Sequence, residues 1–183
     1  MAAPSRSSYQ DRLLFCCSCD TRQCFKAMLI QSVLRSQTLR PLCPTHQVTR
    51  AGSKLAKAFA NILFEVDSTA RVVWDFHCVP DNPKMSIDVC MQSGAGWYLF
   101  ELDGSGHFKS NFTRRNDTDV DKDAAMNRAG MGMMRLHYRD IEKWAAYTRL
   151  FMQSGSTCVK YTEAYRDCIA GEEYEDHVIT LQG

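Results

Sequence analysis

The sequence predicts an α/β protein (α+β in its order of elements), in which helices flank a mixed sheet and a small cysteine-rich module precedes it. Three observations lead to this prediction. The length of 183 residues, with 45% hydrophobic and 23% charged residues, is typical of one globular domain. Short apolar runs with strand-like alternation follow a segment of helical periodicity. Five of the nine cysteines lie before residue 50, which sets the N-terminal part apart.

The first predicted elements are a helix and three strands. Residues 53–64 have apolar side chains three and four positions apart, and Ser53 can act as the N-cap of this helix. Residues 72–74 and 86–90 are strand-like, and residues 97–100 are apolar without a polar break. An uninterrupted apolar run is typical of a strand covered on both faces, so we expect 97–100 to be central in the sheet.

The second half of the chain predicts a helix, a strand and further helices. Residues 122–129 are good helix formers and end at Gly130, and residues 133–138 form a second buried strand pattern. Residues 141–152 show amphipathic helical spacing, and residues 161–169 predict a short helix or turn. The predicted order is therefore helix, three strands, helix, strand and helices.

Charged side chains follow the central strand directly. Glu101 and Asp103 are two positions apart, so their side chains point to the same face of the strand. Gly104 and Gly106 allow a sharp turn, which lets His107 fold back beside the carboxylates. Two carboxylates and an imidazole at the end of a strand predict a site for a hard divalent cation with a base next to it.

The wider pattern resembles a family of nucleases. An acidic strand, a glycine turn with His107, a basic loop, an Asp-x-x-Lys helix (Asp119 and Lys122) and an apolar strand with Arg135 follow each other. This order resembles the Vsr-like branch of the PD-(D/E)XK nucleases, which includes the EDxHD homing endonucleases and is related to the RAP domain. Their strand reads Glu-x-Asp-Gly-x-x-His-Phe, which residues 101–108 match. The resemblance covers residues 60–140.

The resemblance implies a restriction-endonuclease-like core that hydrolyses DNA with Mg²⁺ or Mn²⁺. It places one metal-binding Asp on the strand before Glu101, which is itself the second ligand. Asp88, thirteen residues before Glu101, suits a hairpin, whereas Asp75 requires an insertion and is the alternative. Asp103 stands where simpler nucleases of the superfamily carry a lysine, so it would bind metal or orient His107.

Other residues acquire roles from the same resemblance. His107 would be the general base or a phosphate-facing acid, as its ordinary pKa of about 6.5 allows. Lys122 and Arg135 would pair with the carboxylates or contact the scissile phosphate. The net charge of +1 requires nucleic acid to be bound by local clusters, and the best cluster lies in the loop after the site. The predicted nucleic-acid contacts are Lys109, Arg114, Arg115 and Arg135.

The N-terminal cysteines predict a structural zinc ion. Cys16 and Cys19 form one Cys-x-x-Cys pair, and Cys43 and His46 form a Cys-x-x-His pair, which together provide four tetrahedral ligands. Cys17 or Cys24 can replace a member of the first pair. Buried free cysteines are the alternative interpretation.

The predicted organisation has four parts: a disordered tail (1–10), the zinc module (11–50), the nuclease-like domain (51–152) and a C-terminal extension (153–183). Residues 1–10 lack the apolar core of a secretory signal, and no apolar run approaches the roughly 18–20 residues of a membrane span. We expect a protein of the cytoplasm, nucleus, an organelle or a virion, which binds DNA in preference to RNA and no membrane. The alternatives are a non-catalytic RAP-like nucleic-acid-binding protein and a structural subunit of a virion or ribonucleoprotein assembly.

Overall fold

The sheet has six strands in sequential order. A computed structural model describes residues 53–79, 82, 84–94, 96–108 and 115–181, and the backbone of 40–41. The predicted zinc ligands, Lys109 and Arg114 lie outside these residues. The strands are β1 (Arg40–Pro41), β2 (Arg71–Phe76), β3 (Ile87–Ser93), β4 (Gly96–Asp103), β5 (Met133–His137) and β6 (Val159–Tyr161).

The sheet is mixed, which confirms the predicted mixture of strand directions. β1 to β4 pair in antiparallel fashion, and β4, β5 and β6 pair in parallel. The described α-helices are α1 (Lys54–Val66), α2 (Asp117–Arg128) and α3 (Trp144–Ser154). Short 3-10 helices occupy Ser105–His107, Tyr138–Lys143, Glu163–Cys168 and Glu175–His177. Among the described helices, none has the length and apolar character needed to cross a membrane.

Each face of the sheet is covered by an apolar core. On one face, Phe59 of α1 packs edge-on against Phe100 at 5.1 Å and Trp144 at 5.7 Å between ring centroids. On the other face, Met126 of α2 packs with Leu99 and its neighbours. The sheet is thus sandwiched between helices, and α2 lies on the face that Glu101 and Asp103 share with Leu99.

Two predictions about individual elements are confirmed. Ser53 caps α1, since its Oγ accepts a hydrogen bond from the Ala56 N–H at 3.0 Å. β4 lies between β3 and β5, and both Leu99 and Phe100 are fully buried. The predicted central strand is therefore central and covered on both faces.

Other boundaries differ from the prediction. α2 begins at Asp117 instead of residue 122, because two acidic residues suit the first turn of a helix. The segment predicted as a helix at 141–152 divides into a 3-10 helix and α3. β6 was not predicted, because three residues are too short for a recognisable alternation. It joins the sheet beside β5, within the segment assigned to the C-terminal extension.

Candidate metal and catalytic site

The predicted acidic residues gather at the carboxyl ends of the parallel strands β4 and β5. The register places Glu101 opposite Arg135 and Asp103 opposite His137. α2 covers this face, so its side chains Asp119, Lys122 and Asp123 reach the same edge. Carboxyl ends of neighbouring parallel strands are a frequent location of sites in α/β proteins.

Arg135 is at the centre of the charged cluster and is fully buried. Its guanidinium donates to Asp123 Oδ1 at 2.6 Å and to Asp103 Oδ2 at 2.6 Å. It also donates to Asp119 Oδ1 at 3.2 Å, and it lies 4.0 Å from Glu101 Oε2. Burial alone would lower the pKa of Arg135, but Asp103 and Asp123 raise it well above its ordinary value. Arg135 was predicted either to pair with the carboxylates or to contact the scissile phosphate. In the structure it pairs with the carboxylates.

Arg115 is also buried, with 1% of its surface exposed. It pairs with Asp123 and donates to Glu172 Oε2 at 2.7 Å, while the Tyr161 hydroxyl donates to Asp123 Oδ2 at 2.7 Å. A guanidinium enclosed by two carboxylates has no free face for a phosphate. The structure therefore gives Arg115 internal partners in place of the predicted nucleic-acid contact.

Asp103, His107 and Asp119 form the group best placed to hold a cation. Their ligand atoms lie within 4.8 Å of one another. Among the described residues, this is the group of three His, Cys, Asp or Glu side chains found with such spacing. His107 Nδ1 lies 3.0 Å from Asp103 Oδ1 and 3.1 Å from Asp119 Oδ2. Arg135 and the hydroxyl of Tyr165 both bind Asp103 Oδ2, which orients Oδ1 toward His107. The 3-10 helix Ser105–His107 thus turns the chain so that His107 lies beside Asp103, as the glycines in this turn led us to expect.

The two carboxylates hold a proton on His107. The hydrogen bond to Asp119, aided by the charge of Asp103, raises the pKa of His107 to about 9 against the effect of burial. Burial would raise the pKa of Asp119, but the same hydrogen bond and the charge of Arg135 lower it to about 2. At neutral pH, a positively charged imidazolium therefore lies 3.1 Å from the ionised carboxylate of Asp119 and 3.0 Å from Asp103 Oδ1. The space between the carboxylates of Asp103 and Asp119 therefore favours a positive charge.

Asp88, Glu101 and Lys122 meet immediately beside this group. The Asp88 N–H donates to Glu101 Oε1 at 3.2 Å, and Asp88 Oδ2 accepts from the Leu102 N–H at 2.8 Å. Lys122 Nζ donates to Glu101 Oε1 at 3.0 Å and to the Ser86 carbonyl at 2.8 Å. Burial raises the pKa of Glu101 to about 8, and it raises the pKa of Asp88 as well. The two acids predicted as metal ligands are thus neighbours, but they are not members of the three-residue group.

The structure distinguishes Asp88 from its alternative, Asp75. Asp75 is exposed and has a φ of 53°, in the left-handed region that non-glycine residues rarely adopt. In the pairing of β2 with β3, Trp74 lies opposite Val89 and Phe76 lies opposite Ile87, but Asp75 and Asp88 are not paired. Asp88 lies beside Glu101, so Asp88 is the acid that the structure brings to the site.

Several members of the cluster were not predicted from the sequence. Asp123 is buried and binds both arginines, and its spacing of four residues from Asp119 on one helix was an available signal. Tyr161 and Tyr165 contribute hydroxyl donors from the C-terminal part of the chain. Tyr165 is 62 residues from the Asp103 carboxylate that it binds, and no local pattern indicates such a contact.

Comparisons of the chain with protein-family models, with curated proteins and with solved structures find no match.

The charged cluster predicts that the folded state loses stability as the pH rises. The pKa of His107, about 9, lies above its ordinary 6.5, and that of Glu101, about 8, lies above 4.5. Both groups bind protons more tightly in the folded state, so their contribution is complete at low pH and is lost as the pH rises toward 9. The pKa of Asp119 is shifted in the opposite direction, to below its ordinary value. Its contribution to stability is therefore lost only as the pH falls from about 4 toward 2.

We expect the free energy of unfolding, measured with denaturant at a series of pH values, to decrease between pH 6.5 and pH 9. His107→Asn should make this decrease smaller, because it removes one of the two groups that titrate in that range and leaves Glu101. His77→Asn is the control, since His77 is exposed and outside the cluster. A free energy of unfolding that stays constant or increases over this range contradicts the prediction.

Proposed function

We propose that the protein is a divalent-metal-dependent endonuclease that hydrolyses phosphodiester bonds in DNA. The observation that carries the proposal is the convergence of Asp103, His107 and Asp119 at the sheet edge where Glu101 and Lys122 also meet. The order α1, β2, β3, β4, α2 and β5 agrees with the helix–β-β-β–helix–β core of the restriction-endonuclease-like fold. This agreement supports the resemblance to the Vsr-like branch.

The donor set suits Mg²⁺ or Mn²⁺. Both cations prefer carboxylate oxygens, and Asp103 and Asp119 provide two carboxylates whose ligand oxygens lie within 4.8 Å of each other. Asp88 and Glu101 are the adjoining carboxylates that we assign as further metal ligands. When bound, the cation would polarise the phosphate and activate the attacking water.

The residues around the cation have distinct roles in this proposal. His107 is protonated at neutral pH and its Nδ1 faces Asp103 and Asp119, so we assign the proton on its other ring nitrogen, Nε2, to transfer toward the leaving oxygen. Lys122, whose side chain is 13% exposed, is assigned to hold Glu101 and to contact the scissile phosphate. Arg135 orients Asp103 and Asp119 from the interior.

Phosphate contacts further along the nucleic acid are proposed for Lys109 and Arg114. Both belong to the segment between Phe108 and Arg115, whose ends form an antiparallel bridge directly after His107. This segment begins beside the site, so basic side chains in it are suitably placed along the chain to bind the backbone of a substrate.

Cleavage of nucleic acids by the purified full-length chain tests the proposal. Single- and double-stranded DNA and RNA are incubated with Mg²⁺ or Mn²⁺, with a chelator as control. We expect cleavage of DNA that the chelator stops and that added divalent cation restores. Absence of divalent-dependent cleavage for every substrate overturns the proposal.

A second candidate is a non-catalytic RAP-like nucleic-acid-binding protein or a structural subunit of a virion or ribonucleoprotein assembly. One observation favours it: Arg135 and Lys122 already neutralise several of the carboxylates, as in a purely structural ion-pair network. In this case the chain binds DNA or RNA, or a protein partner, and cleaves neither. The same assay, combined with a binding measurement, distinguishes the two candidates.

We also propose a structural zinc ion held by Cys16, Cys19, Cys43 and His46. Elemental analysis of protein purified without chelator should find one zinc per chain, and Cys43→Ser should remove it. Metal binding of this kind is coupled to local folding, so a chelator should also alter the N-terminal part of the chain. Protein without zinc contradicts this proposal.

A further inference from the structure

A second concave site lies away from the metal cluster. A cavity of about 520 Å³ lies between α2, the start of β6 and the segment that contains the last 3-10 helix. This volume is in the range of small-molecule sites, roughly 300–1,000 Å³. Its polar and aromatic lining residues are Asn127, Arg128, Cys158, Glu173, Tyr174 and His177. We propose that this cavity binds one nucleotide unit of the nucleic acid, an inference that rests on the proposed function.

The backbone of β6 fixes the orientation of two lining side chains. The Val159 N–H donates to Asn127 Oδ1 at 2.7 Å, so the amide oxygen of Asn127 points to the strand. His177 Nδ1 lies 2.9 Å from the Val159 carbonyl, to which it must donate, because a carbonyl oxygen only accepts. The geometry therefore defines Asn127 Nδ2 as a donor and leaves Nε2 as the ring nitrogen of His177 that is not engaged by the Val159 carbonyl.

The donor of this pair lacks a partner within the described part of the chain. Asn127 Nδ2 is buried and makes no hydrogen bond there. A buried donor without an acceptor destabilises the fold, and a ligand acceptor would relieve this cost. The edge of a nucleobase presents acceptors and amino donors next to each other, so it can satisfy Asn127 Nδ2 and His177 Nε2 together.

Aromatic and charged groups complete the match to a nucleotide. The Tyr174 ring is half-buried and lies 5.5 Å from the His177 ring and 6.5 Å from the Tyr161 ring, which hold it in place. Such a ring is a stacking surface for a base. Arg128 is exposed at the end of α2 and can bind the phosphate, and the carboxylate of Glu173 can accept from an amino group or a sugar hydroxyl.

Two segments of the chain connect the cavity with the charged cluster. Asn127 follows Asp119 by eight residues on α2, which is about 12 Å along the helix axis. Glu172, which binds the buried Arg115, directly precedes Glu173. A nucleic-acid strand bound at Asp119 can therefore continue along α2 toward the cavity.

Binding of the four 5′-deoxynucleoside monophosphates to the full-length chain, followed by calorimetry without divalent metal, tests the inference. Asn127→Asp keeps the acceptor for the Val159 N–H but removes the donor, so at least one nucleotide should bind about tenfold more weakly. Tyr174→Leu should weaken binding roughly 5- to 150-fold, as expected for loss of base stacking. Arg128→Gln should weaken it, whereas Arg149→Gln, an exposed arginine on α3, is the charge-matched control that should not.

A second arm uses short single-stranded oligonucleotides, which separates a nucleotide within a strand from a free nucleotide. Oligonucleotide affinity that falls in the Asn127→Asp and Tyr174→Leu variants supports the inference as stated. If only free nucleotides respond to the substitutions, the cavity is a site for free nucleotides and the inference is overturned. It is also overturned if nothing binds, or if the variants bind like the wild type. Divalent-dependent cleavage in such a protein would leave the nuclease proposal standing, whereas nucleotide binding without cleavage would remove the nuclease proposal alone.

Discussion

Replacing Arg135 with leucine is expected to lower the free energy of unfolding by about 3–5 kcal/mol, a loss that can prevent folding. Arg135 is fully buried, and it donates to Asp103, Asp119 and Asp123. Leucine fills part of the volume but leaves these carboxylates without their shared cation. Breaking a buried ion network by removing one partner is strongly destabilising, because the remaining charges cannot reach water.

Denaturant unfolding of the wild type, Arg135→Leu and Arg149→Leu measures this effect. Arg149 is exposed on α3, so its replacement should change stability by about 0.5 kcal/mol or less. Arg135→Lys keeps a charge but cannot reach all three acids, and we expect an intermediate loss. Arg135→Leu protein with the stability of the Arg149→Leu control would show that the buried network contributes nothing to the fold.

Loss of divalent-dependent cleavage is the expected result of Glu101→Gln, with the fold and much of the nucleic-acid affinity retained. The amide keeps the volume of Glu101 and an oxygen that can accept from Lys122, but it cannot ionise and so cannot offer a divalent cation a carboxylate. His107→Ala should slow cleavage by about 10²–10⁴-fold, the usual contribution of a group that transfers a proton. Its effect should appear in the rate at saturating metal.

Cleavage rates and binding affinities are measured side by side for these variants. His77→Ala and Glu142→Gln are the matched controls, since both residues are exposed and neither belongs to the cluster. A loss far below 10²-fold for His107→Ala removes this residue from the proton-transfer role. Full activity of Glu101→Gln removes Glu101 from the metal site.

Local sequence patterns were sufficient for the order α1, β2, β3, β4, α2 and β5 and for part of the site. Alternation along a strand placed Glu101 and Asp103 on one face, and the glycine turn brought His107 back to Asp103, as the structure has it. The spacing of thirteen residues between Asp88 and Glu101 corresponds to neighbouring antiparallel strands. These features involve residues that are close in sequence or that belong to one hairpin. They could therefore be predicted from the sequence.

Local sequence patterns did not predict the contacts between residues that are far apart in the sequence. The loop position of Arg115 suggests an exposed cation, yet Glu172, 57 residues later, and Asp123 enclose it. Tyr165 reaches Asp103 only because β6 and the following 3-10 helix return to the sheet. A single sequence gives no signal for a pairing that depends on the tertiary arrangement of two remote segments.

Binding of Mn²⁺ to the zinc-saturated full-length chain, followed by electron paramagnetic resonance, is the most direct test of a divalent cation at the carboxyl ends of β4 and β5. Zinc saturation occupies the N-terminal cysteines first, since thiolates prefer zinc. We predict that the wild type and the control Asp176→Asn, an exposed acid outside the cluster, bind one Mn²⁺ at this site. Asp103→Asn and Asp119→Asn should lose it while remaining folded. Wild-type protein that binds no Mn²⁺ at millimolar concentration, or variants that bind it as tightly as the wild type, would contradict the account.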